Sequence, residues 1–307
     1  MIRGIADIIL AAAASGKVRL AVAAAQDHTV LEAVFDAWKA GIADPILVGS
    51  RAAINKAAQA ANEGRGLDLS AFEMVESDDL ASAAAKAVNL VRTGKAEILM
   101  KGLLDTSILL RAAFNKETGI NAGRLASHVA IIESPHYYKL FLVTDAAINI
   151  APDLYALMDI IASAVSVARS LGVELPKVAI LAAVEKVNPD KMPCTAIAAL
   201  LTQMNRRGQI RDCVIDGPLA LDNAISAESA RIKGIVSDVA GDADILVTPT
   251  VEAGNILYKS LLDLGGAKGT GIVMGAAKPM VLTSRSDSKE TKLASIALAS
   301  LVGRWRE

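Results

Sequence analysis

Aromatic residues are scarce: Phe, Trp and Tyr together make up 3% of the 307 residues. A chain so poor in rings offers no stacking platform for nucleic-acid bases. Its core must be built from Ala, Val, Leu and Ile, within a hydrophobic content of 53% that marks a globular protein. Cysteine is nearly absent. Cys194 and Cys213 lie far apart, in no zinc or disulfide spacing, as suits a reducing compartment. The three histidines, His28, His128 and His136, have no companions at metal-ligand spacing, so no metal site is expected. Neither sign of charge dominates: 32 basic and 33 acidic residues leave a net charge of −1. No global field therefore recruits nucleic acid or an anionic membrane. No apolar run reaches the roughly 20 residues of a membrane span. The segment Met1–Ala14 resembles the apolar part of a signal peptide, but Asp7 interrupts it, and Gly16-Lys17 before a strand reads as a helix end. A helix and a cytoplasmic location are the expectation.

Several nucleotide and hydrolase signatures are missing as well. The first strand reads RLAVAAAQD, with no G-x-G-x-x-G behind it, and no G-x-x-x-x-G-K-[ST] occurs anywhere. A dinucleotide-binding Rossmann domain and a P-loop NTPase lose their main support. The nucleophile elbow G-x-S-x-G is absent, which argues against an α/β-hydrolase.

What the sequence does contain is alternation. Short β-branched runs are predicted as strands at 19–23, 45–48, 72–75, 98–100, 128–132, 140–143, 178–181, 213–215, 245–247 and 272–274. Helical patterns fill most gaps, at 29–39, 52–61, 79–92 and 153–171, and Gly41, Gly94 and Gly172 follow three of them as C-cap glycines. This rhythm predicts an α/β protein of βαβ units with largely parallel sheets. The rhythm breaks at 128–143, where two strands meet across ESPHYYK with no helix between. A hairpin there suggests the crossover between two domains. We place the first at residues 1–143 with about 280–307, and the second at about 144–279, the final helix covering 288–302.

In parallel α/β sheets, ligands sit beyond the carboxyl ends of strands, where helix N-termini also point. The polar residues just after each strand are therefore the candidates. Lys101 follows ILM directly; Thr106 or Ser107 is placed to cap the next helix, and Arg111 lies one turn further on. Ser127 and His128 open a strand; a lone histidine of this kind is read as structural. Asp145 follows FLVT, and an Asx-type turn is its plainest role. Asn255, Tyr258 and Lys259 stand at i, i+3 and i+4, which puts them on one helix face. The last such stretch is MGAAKPMVLTSRSDSKE. It holds Lys278 in a small-residue turn, then Ser284, Arg285, Ser286 and Asp287. Arginine offers a planar fork suited to phosphate, and the hydroxyls and a helix N-terminus add donors. A capping box of the S-x-x-E kind across 287–290 accounts for part of this turn, but not for Arg285.

The segments MKGLLDTSILLR, GRLASHVAIIE, FLVTDAAINIAPD, VIDGPLALDNAIS, DILVTPTVEAGNILYK and MGAAKPMVLTSRSDS, in this order, resemble the phosphate acetyltransferase and phosphate butyryltransferase family, the butyryl-type branch more closely. The resemblance implies two three-layer α/β domains like those of isocitrate and isopropylmalate dehydrogenases, with the active site in the cleft between them. It implies a homodimer or larger, no permanently bound cofactor, and reversible exchange between acyl-CoA plus phosphate and acyl phosphate plus CoA. It places Ser284 and Arg285 at the acyl phosphate and thiol, with Asn255, Tyr258 and Lys259 lining the cleft. One departure stands out. Acetyl-type members carry an aspartate seven residues after the serine, a proposed base for the thiol; here that position is Thr291, and Asp287 and Glu290 are only nearby.

The chemistry agrees with these residues. The CoA thiolate is the nucleophile, and a thiol of pKa about 8.5 needs only a modest base. Arg285 and Lys101 would hold phosphoryl oxygens, and Ser284 would donate to the developing oxyanion. No protein nucleophile is required; a stable acyl-enzyme on either cysteine would contradict direct attack. The other readings are an acyl-carrier-protein-dependent acyltransferase of lipid synthesis, a dehydrogenase of the related fold, and a non-catalytic CoA-binding homologue.

Overall fold

Helices start where a side chain closes the first turn. Asp27, Ser50, Asp79, Asp153, Thr250 and Ser288 each accept a hydrogen bond from the backbone amide three residues on. Gly41, Gly94 and Gly172 follow three helix ends with φ of 76°, 73° and 93°, a region that side chains avoid.

The computed structural model describes residues 2–61 and 66–305. Its strands are β1 Val18–Ala23, β2 Ala43–Gly49, β3 Glu73–Glu76, β4 Ile98–Lys101, β5 Ser127–Glu133, β6 Phe141–Thr144, β7 Lys177–Leu181, β8 Val214–Leu219, β9 Ile245–Val247, β10 Lys268–Met274 and β11 Met280–Val281. Its α-helices are α1 Ile5–Ala14, α2 His28–Lys39, α3 Arg51–Ala60, α4 Leu80–Arg92, α5 Thr106–Ala113, α6 Leu154–Ser170, α7 Pro193–Arg206, α8 Leu221–Ile225, α9 Ala227–Ile232, α10 Val251–Lys259 and α11 Lys289–Arg304. No helix among the described residues is long and apolar enough to cross a membrane.

The chain divides into two compact units. The first comprises Ile5–Arg124 and the chain from Thr270 onward; the second is built on Leu125–Gly269. The predicted hairpin is present: β5 and β6 pair antiparallel, with Ala130 opposite Val143. Both strands belong to the second unit rather than the first, because β6 pairs in parallel with β9, Leu142 opposite Ile245. The division therefore falls at Arg124/Leu125, ahead of the hairpin and not after it.

In the first unit the strand order is β3-β2-β1-β4-β11-β10, parallel except for β10. The chain steps outward from β1 to β3, then returns across β1 to β4. Right-handed crossovers place α2 and α4 on opposite faces, which makes three layers. The long helix α11 packs on α1 and α2. Leu20–Ala25, Ile46–Val48 and Ile98–Met100 are buried throughout, the near-continuous apolar strands of a sheet covered on both faces. In the second unit the order is β5-β6-β9-β7-β8, parallel except for β5. Its core joins Ala130, Ile132, Val143, Ala179 and Leu246, with Tyr258 packed against it.

Candidate active site

The strand order of the first unit reverses between β1 and β4, the place where parallel α/β sheets hold ligands. The two strand ends approach closely there. Gly102 N and Leu103 N donate to Ala23 O and Ala24 O at 2.8 and 2.7 Å. A Cβ on Gly102 would lie 2.2 Å from Ala24 O, so only glycine fits. Ala24 itself adopts a left-handed backbone, φ 56°.

Lys101 ends β4 and is 6% exposed. Its amine lies 3.3 Å from Leu104 O and 3.5 Å from Gly102 O. Burial pushes this amine below the ordinary lysine value, and the charges of Arg285 and Lys292 push the same way against Asp27 and Asp105. Lys292, on the first turns of α11, is 2% exposed and donates to the carbonyl of Asp287. Burial lowers its amine too, opposed by Asp287 and Asp27. Neither lysine has a carboxylate within ion-pair distance among the described residues.

The turn ahead of α11 carries the hydroxyls and the guanidinium. Ser284 N donates to Asp287 Oδ2 at 2.7 Å, and Ser284 Oγ lies 3.0 Å from Ser286 Oγ. The predicted capping box at 287–290 moves by one residue in its cap. Ser288 is the N-cap, accepting from Thr291 N at 3.2 Å, which leaves the Asp287 carboxylate to close the serine turn. Arg285 is exposed, with Nη2 3.4 Å from Asp105 Oδ1. Asp105 is the N-cap of α5 yet makes no capping bond, so Thr106 and Ser107 stand inside the helix and do not cap it. Thr106 is exposed there. Thus β4, α5 and α11 bring Lys101, Asp105, Arg285 and Lys292 into one electrostatic neighbourhood, with the carboxylates of Asp27 and Asp287 acting on the lysines as well. That arrangement suits an oxyanion with several oxygens.

Two sequence candidates stand apart from it. Arg111 lines a cavity of about 640 Å³ against α4 and α5, with Arg92, Asn89 and Asn115. Lys278 lies in the reversal between antiparallel β10 and β11. Since β11 runs parallel to β4 with Met280 opposite Leu99, this reversal sits at the amino end of β11, and Ser284 at the other.

The second unit has its own strand-end group. Asp145 follows β6, 2% exposed, and its carboxylate accepts from Ala147 N, Ile148 N, Asn149 N and Asn149 Nδ2 at 2.6 to 3.2 Å. Four donors saturate it, so Asp145 shapes its own turn and has no free oxygen for a substrate. Helix α10 packs tightly on this turn: a Cβ on Gly254 would lie 2.3 Å from Asp145 O. Asn255 Nδ2 donates to Ala146 O at 3.0 Å. Tyr258 meets His128 edge-on, ring centroids 6.1 Å apart. Of the three residues placed on one helix face, Asn255 and Tyr258 are half-buried and Lys259 is exposed. Ser127 is fully buried at the start of β5, and its hydroxyl has no hydrogen-bond partner among the described residues.

The cysteines are unpaired. Cys213 is buried, and burial pushes its thiol up to about 12, which removes it as a nucleophile at neutral pH.

Sequence reasoning missed Lys292, Asp27 and Asp105. Lys292 had one usable signal: a cation in the first turns of a helix opposes the macrodipole, so it asks for a nearby anion.

Comparison with known proteins gives a consistent answer. Residues 4–85 and 74–300 match the family described as "Phosphate acetyl/butaryl transferase". The phosphate butyryltransferase of Clostridium acetobutylicum is 48% identical over 302 residues, covering 98% of this chain and 99% of that protein. The phosphate acetyltransferase of Rhizobium meliloti is 47% identical over 299 residues, 97% and 93% of the two chains. The crystal structure of a branched-chain phosphotransacylase from Enterococcus faecalis V583 superposes with a TM-score of 0.81 at 36% identity, covering 94% of this chain and 100% of that one. The chain belongs to the phosphate acetyl/butyryl transferase family.

Proposed function

We propose that this member of the family exchanges a short acyl group, acetyl to butyryl, between CoA and inorganic phosphate by direct attack of the CoA thiolate on an acyl phosphate. The observation that carries the reading is the cation-rich strand end of the first unit, where buried Lys101 and exposed Arg285 flank the serine turn. In the forward step the thiolate sulfur bonds to the acyl carbon, and the carbon–oxygen bond to phosphate breaks. Phosphate leaves with that electron pair; Lys101 and Arg285 stabilise its charge, Ser284 and Ser286 donate to oxygens, and Asp287 takes the thiol proton. Thr106, at the exposed start of α5, contacts the same anion.

Asn255, Tyr258 and Lys259 serve as substrate contacts in the second unit, with Ser127 beside the turn that Asp145 holds. CoA, acyl-CoA and phosphate are substrates, and no cofactor is held permanently. A cytoplasmic homodimer completes the reading. Its support is the distribution of exposed large apolar side chains among the described residues: Leu10 and Leu80 lie in the first unit, and the other eleven, including Ile150, Tyr155, Ile232, Val236 and Ile256, lie in the second. Relatives named for phosphate acyl transfer, matched over nearly their full length, favour this reading over a carrier-protein-dependent or non-catalytic homologue.

The test is phosphate-dependent release of CoA from acetyl-, propionyl-, butyryl- and longer acyl-CoA, followed with a thiol reagent. Wild type is expected to turn over. Arg285→Ala should lose about 100- to 1,000-fold in kcat/KM, as when one oxyanion donor is removed, with its circular dichroism and melting unchanged. Folded wild-type protein that releases no CoA from any of these thioesters would overturn the proposal.

A further inference from the structure

Helix α11 is buried along most of its length: Ala294 to Ser300 are covered without a break. A lysine precedes that run. Lys292 is the largest fully buried side chain described in the first unit, with 2% of its surface exposed. Burying an ammonium is costly, and although Asp287 and Asp27 act on it, its hydrogen-bond acceptor is a carbonyl, not a carboxylate. Its position adds to the cost, because the positive end of the helix dipole lies at the same turn.

Three observations show what the residue faces. Its side chain runs back past the N-cap to Asp287 O, the turn that presents Ser284, Arg285 and Ser286. Its charge is felt by Lys101, which arrives from β4. Asp27, at the N-terminus of α2, is felt by both lysines, while Asp105 and Arg285 act on Lys101. Two buried amines from separate elements, neither ion-paired among the described residues, thus share one locus with a guanidinium, the N-terminus of α11 and the carboxylates of Asp27, Asp105 and Asp287. A ligand with several anionic oxygens satisfies all of them at once. Arg285 alone can engage two oxygens of such a group through its fork.

We propose that Lys292 is a substrate-binding residue that, paired with Lys101, holds the phosphoryl group of phosphate and of acyl phosphate. The proposal rests on the reading of the Ser284–Arg285 turn as the substrate site, and it assigns the buried side of that site to two amines. The CoA portion lies outside its reach, so the effect of Lys292 is confined to the phosphate side of the reaction.

The experiment compares wild type with Lys292→Met, a variant of similar length in which an apolar side chain replaces the amine. Calorimetric titration uses inorganic phosphate, and steady-state kinetics use butyryl-CoA and phosphate. Loss of one charge-assisted contact should weaken phosphate binding and raise its KM about 10- to 100-fold, with the KM for butyryl-CoA within about twofold and the melting temperature unchanged or higher. Phosphate binding within about twofold of wild type would overturn the proposal. Should Lys292→Met fail to fold, wild-type protein labelled at lysine Nζ gives the same answer. Phosphate should shift two lysine signals, one of which disappears in Lys101→Met; a shift confined to that one signal overturns the role of Lys292. The outcomes also separate the two claims. Phosphate bound through Lys292 with no CoA release defeats the acyltransferase reading alone, whereas turnover with an unchanged phosphate KM in Lys292→Met defeats this proposal alone.

Discussion

The two units are built to one plan and equipped differently. Each has a largely parallel sheet with one antiparallel strand, β10 in the first and β5 in the second. Each has a strand end so tightly packed that only glycine fits: Gly102 against Ala24 O, and Gly254 against Asp145 O. The contents of those ends diverge. The first unit collects cations that lack ion-pair partners among the described residues, Lys101 and Lys292. The second collects groups that satisfy one another, Asp145 with Asn149 and Asn255 with Ala146 O. It also carries most of the exposed apolar surface. The same kind of frame thus carries different side chains in the two units, with the difference held in a few residues after the strands.

The sharpest break in the comparison comes at the glycines. If the frame is shared, Gly102→Val and Gly254→Val should fail alike. A new Cβ at 2.2 or 2.3 Å from a backbone oxygen cannot be relieved by a rotamer change, and such clashes belong to the rare class that costs more than about 4 kcal/mol. Both variants are expected to be insoluble or to lose cooperative melting by circular dichroism. A well-folded Gly254→Val beside a lost Gly102→Val would show that the second strand end is not a structural equivalent of the first.

The frame was legible in the sequence because it rests on local signals. β-Branched runs of three or more residues, caps such as Asp27 and Asp153, and the glycines after α2, α4 and α6 each announce themselves within a few residues. Strand β11 was not read, since two residues, Met280 and Val281, carry no period. The unit boundary was misplaced because the hairpin is visible locally while its partner is not: Leu142 pairs with Ile245, a hundred residues away. The site was legible where its residues stand at strand ends. Ser284, Arg285 and Lys101 follow strands and look polar, but Lys292 sits in the run DSKETKL, which reads as a solvated first turn until packing buries it. Asp145 was the easier case: an Asx-type turn is the plainest role of its residue type after a strand, and four local hydrogen bonds form that turn.

A smaller effect tests the surface side of the comparison. If the second unit carries the assembly face, placing charge on it should separate the protomers without unfolding them. Ile232→Asp with Val236→Asp alters two exposed side chains, 72% and 101% accessible, so the fold has little to lose. By light scattering, the wild type is expected at twice the 31.9 kDa chain mass or more, and the double variant at a lower state. Leu10→Asp, on the first unit, should leave the mass unchanged. Equal behaviour of the two variants would remove the asymmetry on which the assembly argument stands.

The smallest expected effect concerns lysines that do have partners. In the second unit Lys139 lies 2.7 and 2.6 Å from Asp242 and Asp244, and Lys177 lies 2.6 Å from Asp242. Burial alone would raise the Asp242 carboxyl; hydrogen bonds from Lys139, Lys177 and Tyr138 outweigh it and hold the group well below the usual carboxylate range. Burial alone would lower the Lys139 amine, and the two aspartates outweigh it and raise it. A depressed carboxylate contributes stability that is present above its unfolded pKa, about 4, and is lost as pH falls through and below that value. A raised amine contributes stability that is present below about 10.4 and is lost as pH rises above it. Both contributions are therefore complete near neutrality. Asp242→Asn should lower the melting temperature by a few degrees at pH 7, an effect limited because the side chain is 37% exposed and solvent screens it. The gap between the variant and wild-type curves should narrow as the pH falls below about 4, and close only where the depressed wild-type carboxylate itself takes up its proton. Set beside Lys292→Met, this variant gives the comparison its sign. Removing the partner of a paired lysine costs stability and leaves phosphate binding alone, whereas removing an unpaired buried lysine spares stability and costs phosphate binding. A melting temperature of Asp242→Asn equal to that of wild type at pH 7 would show that the paired cluster contributes nothing, and the contrast between the two units would then rest on the anion site alone.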